Sequence, residues 1–142
     1  MSLTISGDTP NFSAATITTG TVTTLTTTTI SDGTNSTSST NAIQGSAKAW
    51  VRFNGVPTLS IGASYNVSSV TRTAAGTYTI VMTNALTDTN YCVVGTCRYP
   101  GNYNGIGQLE AATSTTQFTY LSINANGLTA TDMTLNSVAV FR

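Results

Sequence analysis

Apolar and polar side chains alternate in short runs from Ser46 onward, with the two-residue period of a half-buried β-strand. The clearest run is AKAWVRF at 47–53, where small and apolar residues alternate with Lys48, Trp50 and Arg52. The Asn54-Gly55 dipeptide that follows is a turn signal. Six further runs are of the same kind: PTLSIGAS, YNVSSVTRT, TYTIVMT, YCVVGTCRY, QFTYLSI and MTLNSVAVF.

Turn signals separate these runs at Ala75-Gly76, Asn104-Gly105 and Asn126-Gly127. Short strands at this spacing predict an all-β domain, an antiparallel β-sandwich or barrel of jelly-roll-like type. We expect no helix longer than one turn. The segment ALTDTN, with Asp88 as its turn-forming side chain, is the candidate for a single helical turn.

The N-terminal region has a different pattern. Residues 16–29 contain ten threonines in fourteen positions and no charge. Threonine is β-branched and favours extended backbone. The apolar residues are sparse but regular, because Ile17 and Leu25 are eight positions apart, as are Val22 and Ile30.

Such a segment has too few large apolar side chains to order itself, and it lacks the charge and proline typical of disordered chains. We therefore expect an extended β arm that is ordered by other copies of the chain, with Ile17, Val22, Leu25 and Ile30 as the trimer-assembly residues. The predicted organisation is an arm at 1–32, a linker at 33–45 and a β domain at 46–142.

The low charge content limits the kinds of molecule that this chain is expected to bind. Charged residues make up 7% of the 142, and the net charge is zero. Nucleic acid is not an expected partner, because phosphate contacts need many Lys and Arg residues. No apolar stretch reaches the length of a membrane-spanning helix, and the N-terminus has no secretory signal pattern, so we expect no membrane insertion and synthesis in a cytoplasm.

The two cysteines, Cys92 and Cys97, lie in one predicted strand. Their odd separation places them on opposite faces, about 16 Å apart, which is too far for a disulfide. We expect both to be small buried hydrophobic side chains.

Several of these segments are also similar in sequence to a known protein family. The strings AKAWV, the FNG turn, YNVSSV and NYCVVG occur in order within residues 41–97. This part of the chain resembles the C-terminal β domain of phage tail fibres, especially those of marine and cyanobacterial phages. The resemblance implies a homotrimeric virion appendage that contacts the host surface, made in the host cytoplasm. The arm and linker, residues 1–45, would contact other virion proteins.

Two places are candidates for contact with a host polysaccharide or protein. Trp50 offers an aromatic face on which a sugar ring could stack, although its place in the AKAWV motif favours a role as a subunit or sheet-packing anchor. The loop at 98–105 combines aromatic faces with short polar groups, as binding surfaces for ring-shaped ligands do. Its candidate residues are Arg98, Tyr99, Asn102, Tyr103 and Asn104.

The sequence does not favour an enzyme or a bound cofactor. It has no histidine, so histidine-based triads and common zinc sites are excluded. A polysaccharide depolymerase could use paired carboxylates, and Glu110 with Asp132 is the candidate pair. We therefore expect a non-enzymatic trimeric tail fibre or short spike. A capsid decoration or head-fibre protein is the alternative, and a depolymerase is less favoured.

Overall fold

A computed structural model of the chain describes residues 28–99, 105–111 and 114–142. In this part β-strand is the predominant secondary structure, accompanied by one short helix. The elements are β1 (Thr29–Ser31), β2 (Ser36–Ser38), α1 (Ser39–Gly45), β3 (Ala47–Asn54), β4 (Ser60–Tyr65), β5 (Val67–Ala74), β6 (Thr77–Met82), β7 (Cys92–Arg98), β8 (Gly105–Ala111), β9 (Gln117–Asn124), β10 (Thr129–Ala130) and β11 (Leu135–Phe141).

One antiparallel sheet contains nine of these strands, in the order β4-β3-β11-β7-β8-β9-β6-β5, with β10 beside β9. The last strand, β11, lies between β3 and β7, so Val138 is opposite both Val51 and Gly95. The predicted antiparallel all-β fold is therefore confirmed.

The sheet curls until its two ends approach one another, giving a nearly closed barrel. The chain passes from β4 at one end to β5 at the other through Asn66, whose φ is +53°. The Asn66 amide donates to the carbonyl of Lys48 at 2.9 Å and accepts from the backbone N–H of Asn84 at 2.8 Å. This side chain thus joins the corner to both β3 and the segment after β6.

The interior of the curl is filled by aromatic and branched side chains. The ring of Phe53 packs edge-on against Tyr78 at 4.9 Å and against Tyr120 at 6.1 Å between centroids. Edge-to-face aromatic packing and the burial of such rings are major sources of core stability. The core cluster comprises Ala49, Val51, Phe53, Val70, Tyr78, Ile80, Met82, Tyr91, Phe118, Tyr120, Val138 and Val140.

The alternation within 47–53 gives the predicted faces. Ala49, Val51 and Phe53 are buried, whereas Trp50 and Arg52 are exposed. Seven of the strands lie in the runs that the alternation predicts. Strand β8 was not predicted, because its sequence, GIGQLEA, is rich in glycine and follows a loop.

The expectation about helices was wrong. Residues 39–45 form α1, whose N-cap is Ser38, with its hydroxyl accepting from the backbone N–H of Asn41 at 3.0 Å. Residues 85–90 form no helical turn, and 87–89 are bends. Asp88 does have the predicted turn role, since its carboxylate accepts from the Asn90 N–H at 2.8 Å.

The N-terminal part of the described chain forms a small exposed unit before the main sheet. Strands β1 and β2 pair as a hairpin around Gly33, whose φ is +94°. Asp32 stabilises the turn by accepting from the backbone N–H groups of Thr34 and Asn35. The side chains of Ile30 and Ile43 remain 47% and 62% exposed.

Candidate functional site

The outer side of the sheet has an apolar row that crosses four neighbouring strands. Trp50 on β3 is opposite Tyr65 on β4 and Ala139 on β11, and Ala139 is in turn opposite Val94 on β7. Their side chains point outward because residues of alternating parity face the core. Trp50, Tyr65 and Val94 are 40%, 58% and 49% exposed.

This row crosses a groove that follows β11. In the middle of β11 the outward side chains, Ser137 and Ala139, are small, while β3 and β7 on each side carry larger ones such as Trp50 and Val94. The groove has a volume of about 430 Å³. Its outward-facing lining residues, which we call the groove face, are Trp50, Arg52, Val94, Thr96, Ser137 and Ala139.

Arg52 and Glu110 differ from the other charged side chains of the domain. Neither has a hydrogen bond or ion pair with any residue in the described part of the chain. Both are exposed. Glu110 lies on β8 in a bulge between Leu109 and Ala111, and its side chain is exposed to solvent.

Asp132, one of the two carboxylates considered for catalysis, has a structural role. It accepts hydrogen bonds from Arg72 Nε at 2.8 Å, the Gly76 N–H at 2.9 Å and the Tyr78 hydroxyl at 2.8 Å. Burial by itself raises the pKa of Asp132, but these hydrogen bonds outweigh it and lower the pKa below its usual value. Burial, and then the hydrogen bond to Asp132, raise the pKa of Tyr78.

Glu110, the other carboxylate considered for catalysis, makes no direct contact with Asp132, whose oxygens are engaged by Arg72, Gly76 and Tyr78. Asp88 is likewise engaged, since it accepts from Arg142 Nε at 2.8 Å and also pairs with Arg142 Nη2. The hydrogen bond from Arg142 lowers the pKa of Asp88. These aspartates therefore fix the positions of chain segments.

Of the residues predicted to contact a ligand, the structure describes Trp50, Arg98 and Tyr99. Arg98 and Tyr99 lie exposed at the end of β7, and neither lines the groove that contains Trp50. The carbonyl of Arg98 accepts from the Thr134 hydroxyl at 3.0 Å, which ties the start of this loop to the segment before β11. Asn102, Tyr103 and Asn104 lie outside the described residues.

Of the residues expected to assemble the trimer, Ile17, Val22 and Leu25 lie outside the described residues. Ile30 lies in β1 opposite Thr37, and it is exposed. Its role in assembly stays a prediction.

The prediction for the cysteines is wrong for one of them. Cys92 is exposed and Cys97 is buried, and both are free thiols. Burial raises the pKa of Cys97. Their placement on opposite faces of β7 is as predicted, because Cys97 points into the core side and Cys92 points outward.

The described residues include neither a metal-ligand cluster nor a membrane-spanning helix. Residues 28–99, 105–111 and 114–142 contain no group of three or more metal-ligating side chains. The same residues include no helix that is long and apolar enough to cross a membrane.

The sequence interpretation missed most of the groove face. The alternation in NSVAVF indicates that Ser137 and Ala139 point outward, but it does not show which strands lie beside them. Val94 and Glu110 had no distinguishing pattern of their own. Their significance comes from the register across β3, β11, β7 and β8.

The chain was compared with known protein families, with curated protein sequences and with solved structures. No family, curated sequence or solved structure matches it.

Proposed function

We propose that this chain is a non-enzymatic structural protein of a phage virion. In this proposal it assembles as a homotrimer with a jelly-roll-like outer domain, and it forms a tail fibre or short spike that contacts the host surface. The arm and linker, residues 1–45, attach it to other virion proteins. The resemblance within residues 41–97 is the source of the phage assignment.

The exposed apolar row that crosses the groove is the observation that carries the structural role. Trp50, Tyr65 and Val94 are all at least 40% exposed, on β3, β4 and β7, and Ala139 of β11 lies between Trp50 and Val94. A contiguous exposed apolar patch is typical of a surface that another protein covers. A chain with 7% charged residues has few charges with which to keep such a surface apart from other copies.

The engagement of the carboxylates supports a non-enzymatic role. Asp88 and Asp132 are held by Arg142 and Arg72. Glycoside hydrolysis needs two carboxyl groups that face each other across a substrate bond. The geometry of Asp132, whose oxygens already bind three donors, favours a structural anchor over a general acid.

The exposed end of β7 supports contact with the host. Arg98 and Tyr99 lie at the start of the loop that leads to β8, and Tyr99 is 41% exposed. An arginine and an aromatic ring on a loop above a rigid sheet suit the recognition of a sugar or protein surface. Binding by three copies would add through avidity.

The N-terminal unit supports attachment to the particle. Ile30 and Ile43 are exposed on the β1–β2 hairpin and on α1. Neither has a place in the core of the main sheet. Exposed branched side chains beside the arm favour a further protein contact on this side of the molecule.

Electron microscopy of virions labelled with an antibody against the chain tests the proposal. We expect the label on the tail. Label on the head would favour the capsid-decoration alternative, and absence from purified virions would overturn the phage proposal. Release of sugar from host envelope polysaccharide by the purified protein would contradict the non-enzymatic role.

A further inference from the structure

We propose that the groove face is the surface by which copies of this chain meet, and that Arg52 of one copy pairs with Glu110 of the next. This inference rests on the homotrimer of the proposed function. It assigns to that trimer an interface in the β domain, in addition to any contact made by the arm.

The apolar character of the groove favours a protein as its occupant. The Trp50 ring and Val94 form its sides, and the methyl group of Ala139 forms part of its floor. A polar ligand bound here would lose hydrogen bonds to water and gain few from the groove, so its desolvation would cost free energy. An apolar surface of another chain would instead remove these side chains from water, at about 25 cal/mol for each Å².

The exposed charges favour a second copy in particular. Arg72 and Arg142 have acidic partners within the chain, and Lys48 donates to the carbonyl of Ile43 and to the Ser46 hydroxyl. Arg52 and Glu110 remain without such partners. Among residues 28–99, 105–111 and 114–142, Arg52 is thus a cation and Glu110 an anion without a partner in the same chain, and each has the charge to pair with the other on a second copy.

Their placement makes that match possible. Arg52 lies on β3 and Glu110 on β8, with β11 and β7 between them. Three strand spacings separate them by at least about 14 Å, which is too far for pairing within one chain. Arg52 therefore lies on the same strand as Trp50, and Glu110 lies one strand beyond Val94, at the β7 end of the apolar row.

Rotational symmetry then brings opposite charges together. A three-fold ring is built from heterologous contacts, in which one patch of each copy, here the groove face with Arg52, meets a different patch of the next copy, here the part of β8 that carries Glu110. Arg52 thus approaches Glu110 of the next copy, and the ring closes with three equivalent pairs. Exposed ion pairs contribute little to stability, so these pairs chiefly set the register of the apolar contact.

Charge reversal in the full-length chain tests this arrangement. We would measure assembly by sedimentation across protein concentration for wild type, Arg52→Glu, Glu110→Arg and the double variant. Each single reversal places like charges together at all three contacts, so we expect the dissociation constant to rise about tenfold or more. The double variant restores opposite charges, and we expect its dissociation constant to be within about threefold of wild type.

A matched control is Arg142→Glu, which makes the same charge change at a residue that pairs with Asp88. We expect it to assemble like the wild type. Circular dichroism of each variant checks that the β domain is folded, which the exposure of the substituted side chains favours.

The outcomes distinguish this inference from the proposed function. A wild-type trimer that neither single reversal weakens would overturn the interface and leave the homotrimer intact. Weakening by the single reversals without recovery in the double variant would overturn the Arg52–Glu110 pair. A wild-type chain that stays monomeric at every concentration would overturn the homotrimer itself.

Discussion

The ring of Tyr120 occupies the space that a side chain at Gly107 would need. A Cβ atom on Gly107 would overlap the Tyr120 hydroxyl, and one on Gly95 would lie 2.6 Å from the Tyr120 ring. These two glycines are opposite one another on β7 and β8. The absence of side chains at this pair lets a large aromatic residue on β9 reach across to β7, where its hydroxyl donates to the Thr96 carbonyl at 3.3 Å.

Substitution of Gly107 by Ala is therefore expected to destabilise the domain. Overpacking of a filled core costs about 1–3 kcal/mol, so we expect a loss of this size in the free energy of unfolding measured with urea. Adding Tyr120→Phe in the same chain removes the nearest overlapping atom and should recover part of the loss. Gly45→Ala is the control, because a Cβ there meets nothing within 4 Å. Equal effects at the two glycines would contradict the packing explanation.

The carboxylate of Asp132 is expected to make the free energy of unfolding depend on pH in the acidic range. Its pKa is lowered in the folded state, so its contribution is fully present above the unfolded-state pKa of about 3.9 and is lost as the pH falls through the folded-state pKa. We expect Asp132→Asn to lower the free energy of unfolding at pH 7 by about 1–3 kcal/mol.

Urea unfolding from pH 7 down to pH 2 checks this prediction. The difference between wild type and Asp132→Asn should shrink below about pH 4, because wild type then loses the same charge. Asp88→Asn is the matched comparison, since its Arg142 pair is exposed. We expect a smaller change at pH 7 for Asp88→Asn. A difference for Asp132→Asn that does not vary with pH would contradict the assigned role.

The two thiols are expected to react differently. Cys92 is exposed, whereas Cys97 is buried and its pKa is raised by burial. Because the thiolate is the reactive form, a thiol reagent should label Cys92 in the folded chain and both cysteines only in denaturant. Mass spectrometry gives the number and position of the labels. Faster labelling of Cys97 than of Cys92 in the native protein would contradict the assigned faces of β7.

Labelling of Cys92 also bears on the groove face. Cys92 points to the outer side of β7, one outward position from Val94. Its labelling should slow as protein concentration rises and copies assemble. The rate for Cys97 is the internal control, because that thiol is buried in the single chain.

The loop after β7 is expected to contribute to host contact. Replacing Tyr99 and Tyr103 by alanine removes two aromatic faces from the segment proposed to contact the host, and we expect weaker adsorption to host cells. Truncation of an aromatic residue that anchors an interface costs about 2 kcal/mol or more of binding free energy. A folded trimeric variant that adsorbs like the wild type would remove this loop from the proposed host contact.

Local pattern was sufficient to predict much of the sheet. In 47–53 the alternation of side chains correctly assigned Val51 and Phe53 to the core and Arg52 to solvent. The helix α1 was missed because its sequence, STNAIQG, buries no side chain and so has no apolar period. Its one local signal is Ser38 at the N-cap, which sequence reasoning attributed to a polar linker.

The candidate site could not be predicted because it depends on contacts between distant segments. Ala139 lies between Trp50 and Val94 only once β11 has inserted between β3 and β7. The need for glycine at position 107 of β8 also depends on a distant segment, because the Tyr120 side chain that fills the space beside Gly107 comes from β9. Both cysteines were assigned to the core from their residue type, whereas the alternation of β7 places only Cys97 there and leaves Cys92 exposed.

The emission of Trp50 gives the most direct test of the groove face as the meeting surface of the chains. Trp50 is the single tryptophan of the sequence and is 40% exposed in the isolated chain. Emission spectra and sedimentation would be recorded on the same samples across concentration. We expect the emission maximum to move to shorter wavelength in step with formation of the trimer, because burial removes water from the indole. A trimer that forms while Trp50 keeps the emission of the dilute chain would contradict the account.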